Sequence, residues 1–596
     1  MLYRMNFWMI LRHAVLIFAL VLSAVAAPVI DPIGNVTVPA GKSLIIPVTA
    51  TSPNGRPLTF TATSSTNRLV VQVHTNNPFW KMTVVQAAPA SAPGAFQTPF
   101  RGGVETVTNI GDLTFMLFRD TAPHSVDVIQ GFTMGGLYTS NTIFHRVVPG
   151  FVIQGGDPST NGTGGPVFRY DDEFNPNAIF SGNGQLALAN SGKDTDGSQF
   201  FITTGPQRAL DFGYTIFGQL LRGFNVLTNV INTPADTNSR PLADVIITRA
   251  SFVPDNFDTV LTLIGTNLAG VAGTISVIAD DGAGGRTTNT FNATIANNTS
   301  TNDQPFLYPN TVTNLVAPAN VTLTNTVNAV GLDGGQLYWV PEFADQPSYN
   351  AASNSSYNYS NSVYKTLTYN VTNINGQLQF FLKPSANYTG PVTVYFFVSD
   401  NSELSFYTQY FPQSQWPPYD QQKYTFAFGD TPIVGQATNF TAFALTSFTN
   451  QLVATFTNGA PDSSVTNFTA FINWGDNATN SGVIVTNLLN QKEVLGAHTY
   501  TNAGDYPVYI TIQSYIGAGA TVVATASVPP GISLAAAGTN NIIAWPAWAT
   551  DYQLQSATNL VGANWQPDSN FPALNGYDSV VTNGMTNGVF FYRLKK

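Results

Sequence analysis

The chain has 596 residues, 9% of them charged, a formal net charge of −10 and no cysteine. That length exceeds what a single core serves, so several domains are expected. The acidic balance, with no basic block, argues against a nucleic-acid partner, and the missing cysteines exclude disulfides, thiol chemistry and cysteine-held metals.

Residues 1–27 read as a secretory signal. Arg4, Arg12 and His13 precede the apolar run Ala14–Leu22, and Ala24, Val25 and Ala26 supply small residues for cleavage. The run is short for a bilayer span; an uncleaved anchor is the alternative, and no other segment is long enough to cross. The chain is therefore expected to be exported to a periplasm, cell surface or medium. Residues 28–100 alternate polar and apolar, with strand candidates Ser43–Val48 and Pro57–Ala62 on either side of the turn Pro53-Asn54-Gly55. They are expected to form an immunoglobulin-like sandwich. Ala87–Gly103, rich in Pro, Ala and Gly, reads as a linker.

Leu113, Phe115 and Leu117 then alternate on one face of a strand. Thr121 and Pro123 announce a helix in which Val126 and Ile129 share a face. The run FHRVVPGFVIQGGD, Phe144 to Asp157, places Arg146 among aliphatic and aromatic residues. A guanidinium keeps its charge in a protein, so it must face a cleft or meet a partner. With Gln154 eight positions on, the stretch suits a neutral, apolar, carbonyl-bearing ligand. A structural arginine bonded to loop carbonyls is the other reading.

Four more motifs follow: NGTGG at 161–165, LALANSG at 186–192, GSQFFIT at 197–203 and YTIFG at 214–218. Together the five are similar, in order and spacing, to the cyclophilin family of peptidyl-prolyl cis-trans isomerases, over roughly residues 111–249. The resemblance implies a domain at 105–252: a closed eight-stranded antiparallel β-barrel with two helices. Val226, Leu227, Val230 and Ile231 carry the helical spacing of the second helix. It also implies roles. Arg146 is the catalytic cation, Phe151, Phe201 and Leu210 form a proline pocket with Val152, and Gln154 bonds substrate backbone and helps hold Arg146. Ala189 and Asn190 line the groove, Asn190 through its backbone, and Gln199 sits at its edge. Ala209 stands where well-known members carry tryptophan, which implies weak cyclosporin binding, and Tyr214 where they carry histidine. His145 reads as structural. No cofactor and no metal are implied, and no histidine pair has metal-ligand spacing.

The rest returns to strand-and-turn composition. Residues 253–310 and 311–430 read as further immunoglobulin-like segments with a faint repeat: Gly273–Val277 with Asp280 matches Gly390–Val394 with Asp400. An alternative is that the cyclophilin-like block is inserted between two halves of one sandwich. Asp280-Asp281-Gly282 reads as a turn, with calcium binding as the alternative. Residues 432–528 resemble a PKD-type domain through Trp474, Asp476, His498, Tyr500 and Tyr506, and 529–596 read as a terminal β-module. The fold class is thus mainly β, a cyclophilin-like barrel flanked by several immunoglobulin-like sandwiches. The function expected is an exported prolyl isomerase acting on proline-containing polypeptides and assisting their folding. The sandwiches are expected to contact envelope or polysaccharide surfaces. The alternative is a non-catalytic protein that binds proline peptides or acts as a surface adhesin.

Overall fold

The structure is a computed structural model. It describes residues 26–596 apart from 140–141, 167, 256, 301–302, 309–313, 344–348, 351–354, 357–365, 373–376, 384–385, 459–463, 488–490, 539, 551, 560–563, 569, 571 and 585–589. The signal-like run and its apolar core, within residues 1–25, lie outside the described residues. No helix among the described residues is long and apolar enough to cross a membrane.

Eight strands form the central barrel. They are β1 (Phe79–Ala87), β2 (Gly103–Leu117), β3 (Thr142–Val148), β4 (Val152–Gly155), β5 (Asn183–Leu188), β6 (Phe200–Thr204), β7 (Ile216–Arg222) and β8 (Val245–Val253). Their spatial order is β7-β5-β6-β4-β3-β8-β1-β2, and β2 pairs back onto β7, so the ring closes without an edge. All eight pairings are antiparallel. Helices α1 (Pro123–Met134) and α2 (Phe224–Ile231) bury Val126, Ile129, Val226, Leu227 and Val230 in the same core. Helix α1 starts at Pro123 as its sequence predicts, but Thr121 does not cap it. Ala122 holds that position, and the Glu173 carboxylate accepts from the His124 and Ser125 N–H groups at 3.1 and 2.6 Å.

The front of the barrel corrects two expectations. Residues 79–87 are not part of a sandwich spanning 28–100; they are β1, paired with β2 and β8. Ala87–Gly103 is not a bare linker, because Phe96–Phe100 pairs with the first residues of β2 and extends the sheet. Alternation reveals a strand, not the sheet it joins. Trp80 of β1 is fully buried, edge-on to Tyr138 at 5.3 Å and to Phe200 at 5.5 Å.

The segments 28–100 and 253–310 are likewise not separate units. Thr259–Gly265 pairs with both Ser43–Val48 and Leu69–Val73, Ala272–Asp280 with Thr59–Ser64, and Arg286–Ala296 runs parallel to Val36–Pro39. Residues 29–73 and 259–296 therefore build one sandwich around a shared core that includes Val38, Val48, Leu261 and Phe291, and the barrel is inserted between its halves. Val73, where the chain leaves the sandwich, is the strand partner of Leu261, near where it returns. An insertion between adjacent antiparallel strands leaves both ends side by side, which makes it cheap.

A closing hairpin with a parallel partner recurs twice more. Gly390–Ser399 pairs with Asp420–Phe428, which runs parallel to Asn314–Ala317; Gly504–Ser514 pairs with Gly519–Val528, which runs parallel to Phe440–Thr441. The second and third sandwiches have their own cores, the third around Trp474, Tyr500 and Tyr506. A small terminal pair of sheets holds Ile543, Trp545 and Val581. At Asp280–Gly285 the carboxylates accept turn N–H groups.

Each module touches the barrel. Arg222 of β7 grips Asp258 of the first sandwich with two bonds of 2.6 Å. Tyr577 of the terminal module bonds Thr83 at 2.6 Å and lies under the Arg249 guanidinium at 4.1 Å. Gly131 of α1 meets the third sandwich so closely that a Cβ there would fall 1.8 Å from the Gly475 carbonyl oxygen.

Because Trp80 fills the barrel core, Trp80→Ala should cost about 3–5 kcal/mol, read from the denaturant midpoint of the barrel transition. A cost below about 0.5 kcal/mol, the level of a surface change, would show that residues 79–87 are not part of that core.

Candidate functional site

The site grows out of strand alternation. In β6, Phe200 and Ile202 point into the barrel core, while Phe201 joins Met116, Val152, Ala187 and Ile216 on the outer face. Register aligns the neighbours: Arg146 lies opposite Gln154, Gln154 opposite Phe201, and Phe201 opposite Ala187. Three strands thus carry a guanidinium, an amide and a phenyl ring across one outer face.

Together they line a recess of about 100 Å³ whose walls are Arg146, Phe151, Val152, Gln154, Ala189, Asn190, Phe201, Leu210 and Tyr214. It has room for a small ring rather than a drug-sized ligand. Phe201 is its floor, 4% exposed, stacked on Phe180 at 5.6 Å and met edge-on by Tyr214 at 5.3 Å. The Arg146 guanidinium lies over the Phe151 ring at 5.7 Å. Among the described residues no carboxylate lies within ion-pair distance of it. Its side chain lines the recess.

Of the ten residues expected at the site, nine converge on this recess. Gln199 does not line it. It stands one step back, accepting from Gln154 Nε2 at 3.0 Å and donating to the Gly162 and Gly164 carbonyls at 3.1 and 2.7 Å. That anchors Gln154 to the NGTGG loop, which Asp157 shapes by accepting four bonds from Ser159, Asn161 and Gly162. The side chain of Asn190 is turned to the protein, donating to Asp172 at 3.3 Å and to the Gly213 carbonyl at 3.0 Å. Ala209 is exposed at the rim, and His145 is buried, its proton affinity lowered by that burial.

A family description, cyclophilin type peptidyl-prolyl cis-trans isomerase/CLD, matches residues 103–252. Peptidyl-prolyl cis-trans isomerase CYP18-1 of Arabidopsis thaliana is 40% identical over 147 residues, 24% of this chain and 91% of the relative. The chain belongs to the cyclophilin-type peptidyl-prolyl cis-trans isomerases. Peptidyl-prolyl cis-trans isomerase A of Mycobacterium tuberculosis is 38% identical over 156 residues, 86% of its length. Of the isomerase-like 2 protein of Gibberella zeae, 40% identical over 153 residues, the chain spans only 26%. A solved cyclophilin-type isomerase from Cryptosporidium parvum matches at 31% identity, covering 30% of this chain and 99% of that one, with a TM-score of 0.26.

Sequence reasoning missed what lies behind the cyclophilin pocket. Phe180, the platform under Phe201, follows no motif. Nor did anything announce the carboxylates beneath Asn190. Burial raises Asp196 to about 7 despite a bond from Thr215, and raises Asp172 strongly. Burial and the charges of Asp171 and Asp420 raise Asp194 to about 8. Among the described residues, no three such groups are placed to hold a metal.

An acid whose pKa is higher folded than unfolded binds more protons in the fold, so its contribution to stability falls as pH rises from about 4 through its folded value. Asp196→Asn removes that loss. Its melting temperature, measured against the parent, should improve between pH 5 and about pH 7 and level off above. A difference that is flat over that range would show Asp196 to be ionised in the fold throughout.

Proposed function

We propose that this chain is an exported prolyl isomerase that accelerates X–Pro rotation in polypeptides and assists their folding outside the cytoplasm. The observation that carries the reading is the Arg146 guanidinium at the mouth of a recess floored by Phe201. Rotation about an X–Pro bond breaks the overlap between the amide nitrogen lone pair and its carbonyl. In the twisted state the nitrogen becomes pyramidal and basic. A fixed N–H donor aimed at it binds that state better than either planar isomer, which is the condition for catalysis. No bond breaks, so no nucleophile or acid–base pair is required.

In this reading Phe151, Val152, Phe201 and Leu210 hold the pyrrolidine ring, and Tyr214 closes the side. Gln154, fixed by Gln199, bonds substrate backbone and orients Arg146. Ala189 and Asn190 border the peptide groove. The export assignment rests on the positive, apolar and small-residue pattern of residues 1–27. We read the flanking sandwiches as immunoglobulin-like and PKD-type modules that hold the isomerase against envelope or polysaccharide surfaces.

A charge-assisted hydrogen bond is worth roughly 1.5–3 kcal/mol, so Arg146→Ala should slow catalysed exchange of an X–Pro peptide by about ten- to a hundredfold. Equal rates for the two proteins would defeat the mechanism. Peptide binding with no acceleration by the parent protein would favour a non-catalytic proline-peptide receptor.

A further inference from the structure

The turn that carries two pocket residues is held from outside the isomerase domain. Arg208–Leu210 form a single 3-10 turn, and the chain continues through Phe212 to Tyr214, so Leu210 and Tyr214 flank one short stretch. Arg208 pairs with Asp211 within this stretch and with Asp303 beyond it, the latter at 2.9 Å. Asp303 also pairs with Lys42 of the first sandwich, and Lys42 with Asp333 of the second at 3.3 Å. The Lys42 side chain is 3% exposed and that of Asp303 fully buried. Buried charges of this kind are strongly destabilising when one partner is removed. The Asp211 carboxylate accepts the Phe180 N–H at 2.7 Å, which leads to the ring beneath Phe201.

A second, independent contact acts on the same stretch. Phe212 has φ of 55°, a left-handed backbone that is unusual for a bulky residue and persists only when its surroundings enforce it. Its ring stacks on Phe306 at 4.5 Å and 21°, and both rings meet Phe174. Gln304 donates to the Phe212 carbonyl at 3.2 Å. Asp303 and Gln304 lie in the connection between the first and second sandwiches and Phe306 in the short strand Phe306–Leu307 of the second, some fifty residues past the family-matched segment.

We propose that Asp303 and Phe306 are positioning residues for the isomerase site: they clamp the Arg208–Phe212 stretch from behind and so set Leu210 and Tyr214 against the proline ring. The flanking sandwiches thereby tune how tightly this domain holds proline. This rests on the recess being the proline site, as above. Ring packing against Leu210 and Tyr214 is made alike in the planar and twisted states, so loosening the clamp weakens both equally. Uniform binding of that kind appears in KM and leaves kcat alone.

The test compares the full chain with Asp303→Asn, Phe306→Ala and the ring-preserving Phe306→Tyr. The readouts are KM and kcat on a short X–Pro peptide, and the NMR methyl resonances of Leu210. Asp303→Asn and Phe306→Ala should each raise KM about threefold to tenfold with kcat within about twofold, and shift the Leu210 methyls. Phe306→Tyr should restore both. Variants that lower kcat at unchanged KM have merely lost folded protein and overturn the proposal, as do unmoved Leu210 methyls. If Asp303→Asn does not fold, the Phe306 pair decides alone. Should the parent chain fail to isomerise, the functional reading falls. The clamp is then judged by affinity for the same peptide and by the methyl shifts, and no change in either overturns it.

Discussion

A barrel is stable as a barrel only when its last edge finds a partner, and here that closure depends on residues 79–87 lying between β2 and β8. Without them the sheet would end in unpaired N–H and C=O groups beside an unfilled space where Trp80 now sits. Closure fixes which side chains face inward, and alternation then decides the outer face by subtraction. The recess exists because Phe200 and Ile202 are claimed by the core, leaving Phe201 to the outside between Val152 and Ala187.

The charge distribution follows the same economy. With so few ionisable residues, several ion pairs still stand at joints between modules: Arg222 with Asp258, Lys42 with Asp303, and Arg208 with Asp211 and Asp303. Arg146, like Lys492, lies beside a ring without a carboxylate ion pair among the described residues, but it alone of the two lines the recess.

Much of the site was legible in the amino-acid order. Arg146 inside an apolar run, Gln154 eight positions on and Phe201 carry their meaning locally, since a tight turn at Gly150 sets Arg146 opposite Gln154 and strand alternation puts Phe201 on their face and Phe200 in the core. Closed barrel and two helices followed from the resemblance. What was not legible was topology. The halves of the first sandwich lie about two hundred residues apart, and nothing in Thr259–Gly265 says that its partners are Ser43–Val48 and Leu69–Val73. The linker-like Ala87–Gly103 hid a strand because Pro and Gly are tolerated at a sheet's outer edge. Asp303 and Phe306 were invisible for the same reason, as their importance comes from what a distant stretch places against them.

The insertion has a mechanical corollary. Pull apart the chain on either side of the first sandwich, and the load runs through Val36–Pro39 and Arg286–Ala296, which lie parallel and side by side. Such strands resist in shear, with many bonds loaded at once. The isomerase hangs instead from the other sheet, between Leu69–Val73 and Thr259–Gly265, so its own strands lie off that line of force.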